Sequence, residues 1–254
     1  MKQQVIIIDK PIGKTPLEIV DRFKGENPQY KDSTISYAGR LDPMAHGLLL
    51  LLIDEENKNR EKYLHLGKTY EVEILFGFET DTYDVLGKVS NVSKVPNVSK
   101  TKIEQELKIF IGKREQKYPA YSSKAVNGKP LFWWARNNRL AEIEIPKREV
   151  EIFSIAFLSS RKIVGNQLLT EVERKIQSLT GNFRQKEIIE SWAKSIDECV
   201  NYQIIKIVVH CSSGTYMRTL AHELGKQLGN GAIASDIYRT RVGEYSISQN
   251  ITEG

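Results

Sequence analysis

The segment Leu48 to Ile53 (LLLLLI) is six consecutive apolar residues with no polar position at any spacing. It is too short for an ordinary helix and far short of the roughly 20 residues that a membrane helix needs. It therefore predicts a strand covered on both faces, at the centre of a globular fold. With 254 residues, 40% of them apolar, the chain is long enough to bury such a core in one large domain or two small ones.

Immediately upstream, in Ala38-Gly-Arg-Leu-Asp-Pro-Met, the carboxylate of Asp42 sits against this apolar run. Asp followed by Pro43 fits a helix N-cap and first helical position. A carboxylate flanked by leucines is also desolvated, which raises its pKa unless a cation or hydrogen bonds hold the ionised form. Held that way, it would serve as a nucleophile or base at a sugar anomeric carbon.

The remaining pattern predicts a mixture of elements. Val5 to Asp9 reads as a buried strand, and Thr15-Pro16-Leu17-Glu18 opens a helix with a capping box that Gly25 ends. Asp54 to Arg60 reads as a charged connection. Thr69 to Gly77 alternates, turning Tyr70, Val72, Ile74 and Phe76 inward. Ser90 to Lys100 is a polar loop, and Thr101 to Gly112 has helical spacing behind a second Thr-x-x-Glu start. Tyr118 to Arg139 reads as an ordered loop with a short helix, and residues 140–158 as two or three short strands. Leu169 to Leu179 and Lys186 to Ile196 are helices, and Tyr202 to His210 is a strand. Gly214 opens a last helix, and Ile237 to Ile247 is a basic strand-like piece. Without a regular βαβ rhythm, the expected class is α+β with a mainly antiparallel sheet.

Several side chains could carry chemistry. The apolar stripe of the last helix leaves out Arg218, placing it in the first turn on the same side as His222; it is the candidate cation for Asp42, or a solvated arginine. Tyr70 buries a hydroxyl that needs a partner, either in core packing or in stacking on a flat ligand. Asp81 and Asp84 do not form a calcium-type loop and have no histidine beside them, so no metal is expected. The stretch from Tyr118 to Arg139, including Lys124, interleaves aromatics with cations, a composition suited to stacked bases and phosphates or to an amphipathic packing segment. The 37 Lys and Arg against 32 Asp and Glu give a net charge of +5, which modestly favours an anionic partner. Two cysteines without a CxxC pair, and a first stretch MKQQVIIIDK without a long apolar region, fit a soluble cytoplasmic protein with reduced thiols.

Six blocks then resemble the TruB-type tRNA pseudouridine synthases, in that family's order. They are DKPIGKT (Asp9 to Thr15), GRLDPMAHGLL (Gly39 to Leu49), KTYEVEILFGFETDTYDVLG (Lys68 to Gly87), YPAYSSKAVNGK (Tyr118 to Lys129), CSSGTYMRTLAHELG (Cys211 to Gly225) and IYRTRVG (Ile237 to Gly243). The resemblance implies the pseudouridine synthase fold, with a central mixed, mainly antiparallel sheet flanked by helices. It implies that Asp42 is the essential aspartate, Tyr70 the tyrosine packed on the target base and Arg218 the arginine paired with the aspartate. Ile237 would line the base pocket, and Lys10 and Pro11 would frame the site. Gly39, Arg40, His46, Asp81, Lys124 and Arg239 fall in the matching blocks and, with Tyr37 just upstream of the second block, are expected to bind substrate.

The implied activity is isomerisation of uridine in the T loop of tRNA, at position 55, with no cofactor and no metal. A non-catalytic tRNA-binding or tRNA-folding protein on the same scaffold, an enzyme acting on another RNA, and a glycoside hydrolase are the alternatives; the last needs a second carboxylate across the bond. Departures from the pattern are present too. Tyr37 stands where the family commonly has a histidine reaching into the RNA loop, His46 replaces a threonine and Tyr118 a proline. Residues 160–200 are longer than the corresponding connection in most relatives, implying a helical insertion in a single catalytic domain that spans 1–254. With eleven residues after Gly243, no C-terminal PUA domain is expected, and the chain is expected to be a monomer.

Overall fold

In the computed structural model, which describes residues 4–93 and 97–247, the leucine run organises the first half of the sheet. Strand β1 (Val5–Lys10) leads into helix α1 (Pro16–Glu26), which continues one residue past Gly25. The expected capping box closes its first turn: Glu18 N–H donates to Thr15 Oγ1 at 3.3 Å, and Thr15 N–H donates to Glu18 Oε2 at 2.8 Å. Strands β2 (Ile35–Ala38) and β3 (Ala45–Ile53) follow as an antiparallel pair. The run is apolar throughout because its alternate faces feed two different clusters. Leu49, Leu51 and Ile53 pack on Ile19, Val20 and Phe23 of α1, while Leu48, Leu50 and Leu52 pack on Ala38, Tyr63 and Val242. Each fully buried leucine contributes about 1.5–3 kcal/mol, so both faces are strongly specified.

Asp54 to Arg60 is not a plain connection. A 3-10 turn over Asp54–Asn59 runs straight into helix α2 (Arg60–Leu64). Strand β4 (Lys68–Phe76) carries the predicted alternation, and its outer Glu71 and Glu73 are paired across the sheet with Lys206 at 2.5 Å and Arg161 at 3.0 Å. Strands β5 (Phe78–Thr80) and β6 (Val89–Val92) form a small ribbon, so the polar loop expected from Ser90 begins as strand; its residues 94–96 lie outside the described residues. Helix α3 (Lys100–Lys108) starts before Thr101 because Ser99, not Thr101, accepts the capping bond, from Lys102 N–H.

Strand β7 (Gly112–Lys117), the tiny hairpin of β8 (Ala125–Val126) and β9 (Lys129–Pro130), and helix α4 (Leu131–Arg136) come next. The short strands expected in 140–158 are instead one long strand, β10 (Lys147–Val164). It stays in one ladder with β11 (Asn201–Cys211) through two register shifts, at Ile152/Ser154 and Phe157/Ser159. Those irregularities break the two-residue period that a single strand would show. Between β10 and β11 stand helices α5 (Gly165–Gln177) and α6 (Gln185–Ser195), the first beginning ahead of Leu169. Helix α7 (Met217–Gln227) begins three residues after Gly214, and β12 (Ala232–Val242) begins well before Ile237 and turns into β13 (Tyr245–Ser246).

The main sheet runs β1-β3-β12-β4-β11-β10-β7, with β2 added to β3 and β13 to β12. Strands β3 and β12 are parallel and the other pairings antiparallel, giving the mixed, mainly antiparallel sheet of an α+β fold. The largest apolar cluster gathers Ile74, Ile205, Ile233 and Leu224 from β4, β11, β12 and α7, with Trp192 of α6. Among the described residues no helix is long and apolar enough to cross a membrane.

Candidate active site

The loop between β2 and β3 presents Asp42. Gly39 leaves β2 with φ +79°, a left-handed backbone that suits glycine, and its carbonyl accepts from Arg239 Nη2 at 3.0 Å. Asp42 and Pro43 then form a tight turn, closed by Ala45 N–H donating to the Asp42 carbonyl at 3.0 Å. The N-cap reading of Asp42 is therefore corrected: no helix follows, because the next residues already belong to β3. Pro43 rigidifies the turn, and its carbonyl accepts from Gly13 N–H at 2.8 Å.

Arg218 reaches this aspartate from the first turn of α7. Its Nε and Nη2 both lie 2.8 Å from Asp42 Oδ2. The other Asp42 oxygen, Oδ1, has no hydrogen bond among the described residues. The guanidinium is nearly inaccessible, and two backbone carbonyls complete its shell: Thr82 O accepts from Nη1 at 2.9 Å and Tyr121 O from Nη2 at 3.3 Å. Asp84 Oδ2 lies 3.5 Å from Nε. Burial works against the charge of Arg218, yet Asp42 and Asp84 outweigh it and push its pKa up, so the guanidinium is a permanent cation. Burial pushes Asp84 up to about 6, an effect that Arg218 and the Thr82 hydroxyl moderate.

A cavity of about 500 Å³ opens in front of Asp42. Of the residues singled out in the sequence, Tyr37, Gly39, Arg40, Asp42, Tyr70, Lys124, Arg218, Ile237 and Arg239 line it. Tyr70 faces it from β4, and burial pushes its phenol pKa up. Neighbouring Arg239 is fixed by donation from Nε to Leu48 O at 2.7 Å. Arg40 is exposed and makes no hydrogen bond or ion pair to the described residues, leaving its guanidinium available.

Four expected residues are placed differently. Lys10 is fully buried beside the cavity, donating to the carbonyls of Pro11 and Lys14; burial lowers its pKa to about 8 against the pull of Asp42. Pro11 is exposed and lies outside the cavity lining. His46 turns away, 2.9 Å from Asp236 and stacked on Tyr238. Burial pushes Asp236 up, but His46 and Lys175 hold it at about 2, so the group is a partly buried cluster around one carboxylate, outside the cavity lining. Asp81 is occupied by Arg184 at 2.7 Å and by Lys88 N–H.

The structure also adds residues that sequence reasoning passed over. Lys68 and Arg148 line the cavity beside Tyr70, and burial, reinforced by Arg239, lowers Lys68 to about 8. Gly214 carried a signal for Arg148: its φ is +81°, and a Cβ there would stand 1.7 Å from Arg148 Nη1. Nothing local marked the Thr82 and Tyr121 carbonyls, since any residue supplies a carbonyl. Asp84 is buried behind Arg218 and does not line this cavity, and Glu61, which does, is exposed and lies 3.4 Å from His65, an arrangement unlike two carboxylates flanking a glycosidic bond. A second cavity of about 510 Å³ meets the first at Tyr37, Arg40, Asp42 and Arg218 and is walled by Phe132, Arg136 and Phe183. Together the two offer aromatic faces and cations around one aspartate–arginine pair, the arginine buried and the aspartate partly exposed.

The chain has clear relatives. A family model described as TruB family pseudouridylate synthase (N terminal domain) matches residues 28–178. The tRNA pseudouridine synthase B of Bacillus subtilis (strain 168) is 32% identical over 253 residues, 99% of this chain and 69% of that protein. That of Psychrobacter arcticus is 29% identical over 250 residues, 98% of this chain but 55% of that protein, so the chain spans little more than half of this relative. A solved Cbf5-Nop10-Gar1 complex matches with a TM-score of 0.60 at 21% identity, covering 96% of this chain and 50% of that one, and shares the fold.

Proposed function

The chain belongs to the TruB family of pseudouridylate synthases, and from that membership we propose that it isomerises uridine to pseudouridine in the T loop of tRNA. The observation that carries the reading is the Asp42–Arg218 pair opening onto one cavity with Tyr70 and Ile237. A loop uridine must leave its stack to enter that cavity, which costs a few kcal/mol. Stacking on Tyr70 and phosphate contacts with Arg40, Lys124 and Arg148 offset this.

Arg218 holds the Asp42 carboxyl group toward the ribose through its two contacts with Oδ2. Asp42 then attacks C1′ or removes the C2′ proton, and the C1′–N1 bond breaks. The uracil turns within the cavity and C5 bonds to C1′. It either displaces Asp42, so that the Asp42–C1′ bond breaks, or adds to C1′ as Asp42 returns the proton to C2′. The C5 proton is then lost to solvent while N1 regains one. Product and substrate are isomers, so no redox equivalent enters. Tyr37, at the junction of the two cavities, fills the unstacked loop position by stacking. The protein acts in the cytoplasm as a monomer on the T arm.

The test is site-resolved pseudouridine mapping on a tRNA transcript incubated with pure protein. Wild type is expected to modify one T-loop uridine. Asp42→Asn is expected to lose product formation while binding the transcript within a few-fold of wild type. Near-normal turnover by Asp42→Asn would overturn the assignment of Asp42.

A further inference from the structure

Arg218 is gripped by two carbonyls, and both belong to segments held from behind by a second arginine. Thr82 O follows directly on Asp81, whose carboxylate accepts from Arg184 Nη1 at 2.7 Å and Nη2 at 3.4 Å. Tyr121 O belongs to the residue whose ring lies under the Arg184 guanidinium, 4.5 Å from ring centroid to carbon. One side chain therefore ties together the two backbone segments that orient the Asp42–Arg218 pair.

The rest of α6 reinforces the same loop. The Trp192 indole N–H is shared between the Val85 and Gly87 carbonyls, each at 3.2 Å. Glu187 pairs with Lys88 at 3.2 Å, and Ser191 Oγ accepts from Val89 N–H at 3.0 Å. Arg184 itself stands at the α5–α6 turn with φ +63°, a conformation that disfavours a side-chain-bearing residue by roughly 1 kcal/mol or more. Glycine would relieve that strain, yet the position holds an arginine whose head group is engaged by Asp81 and the Tyr121 ring.

We propose that Arg184 is a positioning residue: through Asp81 and Tyr121 it sets the two carbonyls that fix Arg218, and so couples the α5–α6 hairpin to the reactive carboxylate. This rests on the pseudouridine synthase reading for its kinetic consequence, although the geometry stands apart from it. Arg184 touches no reacting atom. It acts by keeping the Arg218 guanidinium in one orientation, and displacements on the scale of an ångström in such a group lower rates by up to about 100-fold.

The experiment uses the full chain with Arg184→Ala, Arg184→Gly and Arg184→Lys. Single-turnover pseudouridine formation on a tRNA transcript is expected to fall about 10- to 100-fold in the Ala and Gly variants, with Kd for the transcript within about twofold of wild type. Lys restores part of the rate, because it keeps the charge on Asp81 but not the two-pronged contact. The Gly variant keeps thermal stability above that of Ala, which separates positioning from folding. In the same proteins the Arg218 Nε–H NMR resonance is expected to shift and to exchange faster with solvent. An unchanged rate in a folded Gly variant, or a loss confined to Kd, overturns the proposal. If wild type forms no pseudouridine, the functional reading fails on its own, and an unchanged Arg218 resonance in the variants then overturns the positioning role.

Discussion

Replacing Asp84 by Asn isolates the energetic cost built into this site. Asp84 is 4% exposed, its Oδ1 accepts from Thr82 Oγ1 at 2.6 Å and Leu86 N–H at 2.9 Å, and its Oδ2 faces Arg218. Its pKa stands at about 6 against an ordinary 3.8. For an acid raised on folding, the native state holds the proton more tightly; that stability is full below pH 3.8 and is lost as pH climbs through about 6. The rise from 3.8 to about 6 corresponds to roughly 3 kcal/mol lost at neutral pH. Part of this is already lost at pH 5, so the stability of Asp84→Asn relative to wild type is expected to rise by about 1 kcal/mol between pH 5 and pH 7. Any fixed gain or penalty from the new amide beside Arg218 cancels in that slope. Glu18 and Asp236, both held near 2, titrate below the window, and Lys10 and Lys68, near 8, titrate above it. Urea unfolding at matched ionic strength and several pH values measures the difference. A flat or falling difference would refute the claim that Asp84 is a destabilised carboxylate retained beside Arg218.

Two further substitutions probe the residues proposed to contact RNA. Arg40→Ala is expected to weaken transcript binding and reduce the slope of log K against log salt by about one, as loss of one phosphate contact requires; a filter-binding titration across salt concentrations reads it. Tyr37→Ala is expected to relax discrimination between T-loop and other hairpin substrates in a competition assay, and an unaltered substrate profile would remove Tyr37 from the recognition surface.

Local pattern carried much of the fold because local pattern is enough to specify it. The unbroken apolar run of β3, the Thr15–Glu18 box and the alternation of β4 each encode a face or a start that no distant contact has to supply. Long-range ladders decided the rest. Strand β10 stays whole only because β11 carries it across two irregularities. The site divides the same way. The resemblance carried by the six blocks selected Asp42, Tyr70 and Arg218, but their juxtaposition joins residues 176 positions apart, and the Thr82 carbonyl that orients Arg218 lies 136 positions from it. His46 and Asp81 fall in matching blocks yet are drawn to Asp236 and Arg184, because a polar side chain settles on the hydrogen-bonding or charged partner that the tertiary fold brings to it. The sequence by itself determined most of the strands and helices and, through the six blocks, the aspartate, tyrosine and arginine at the centre of the site. Only the tertiary structure decided which charges meet, since Coulomb and hydrogen-bond partners depend on distances in space that periodicity along the chain does not encode.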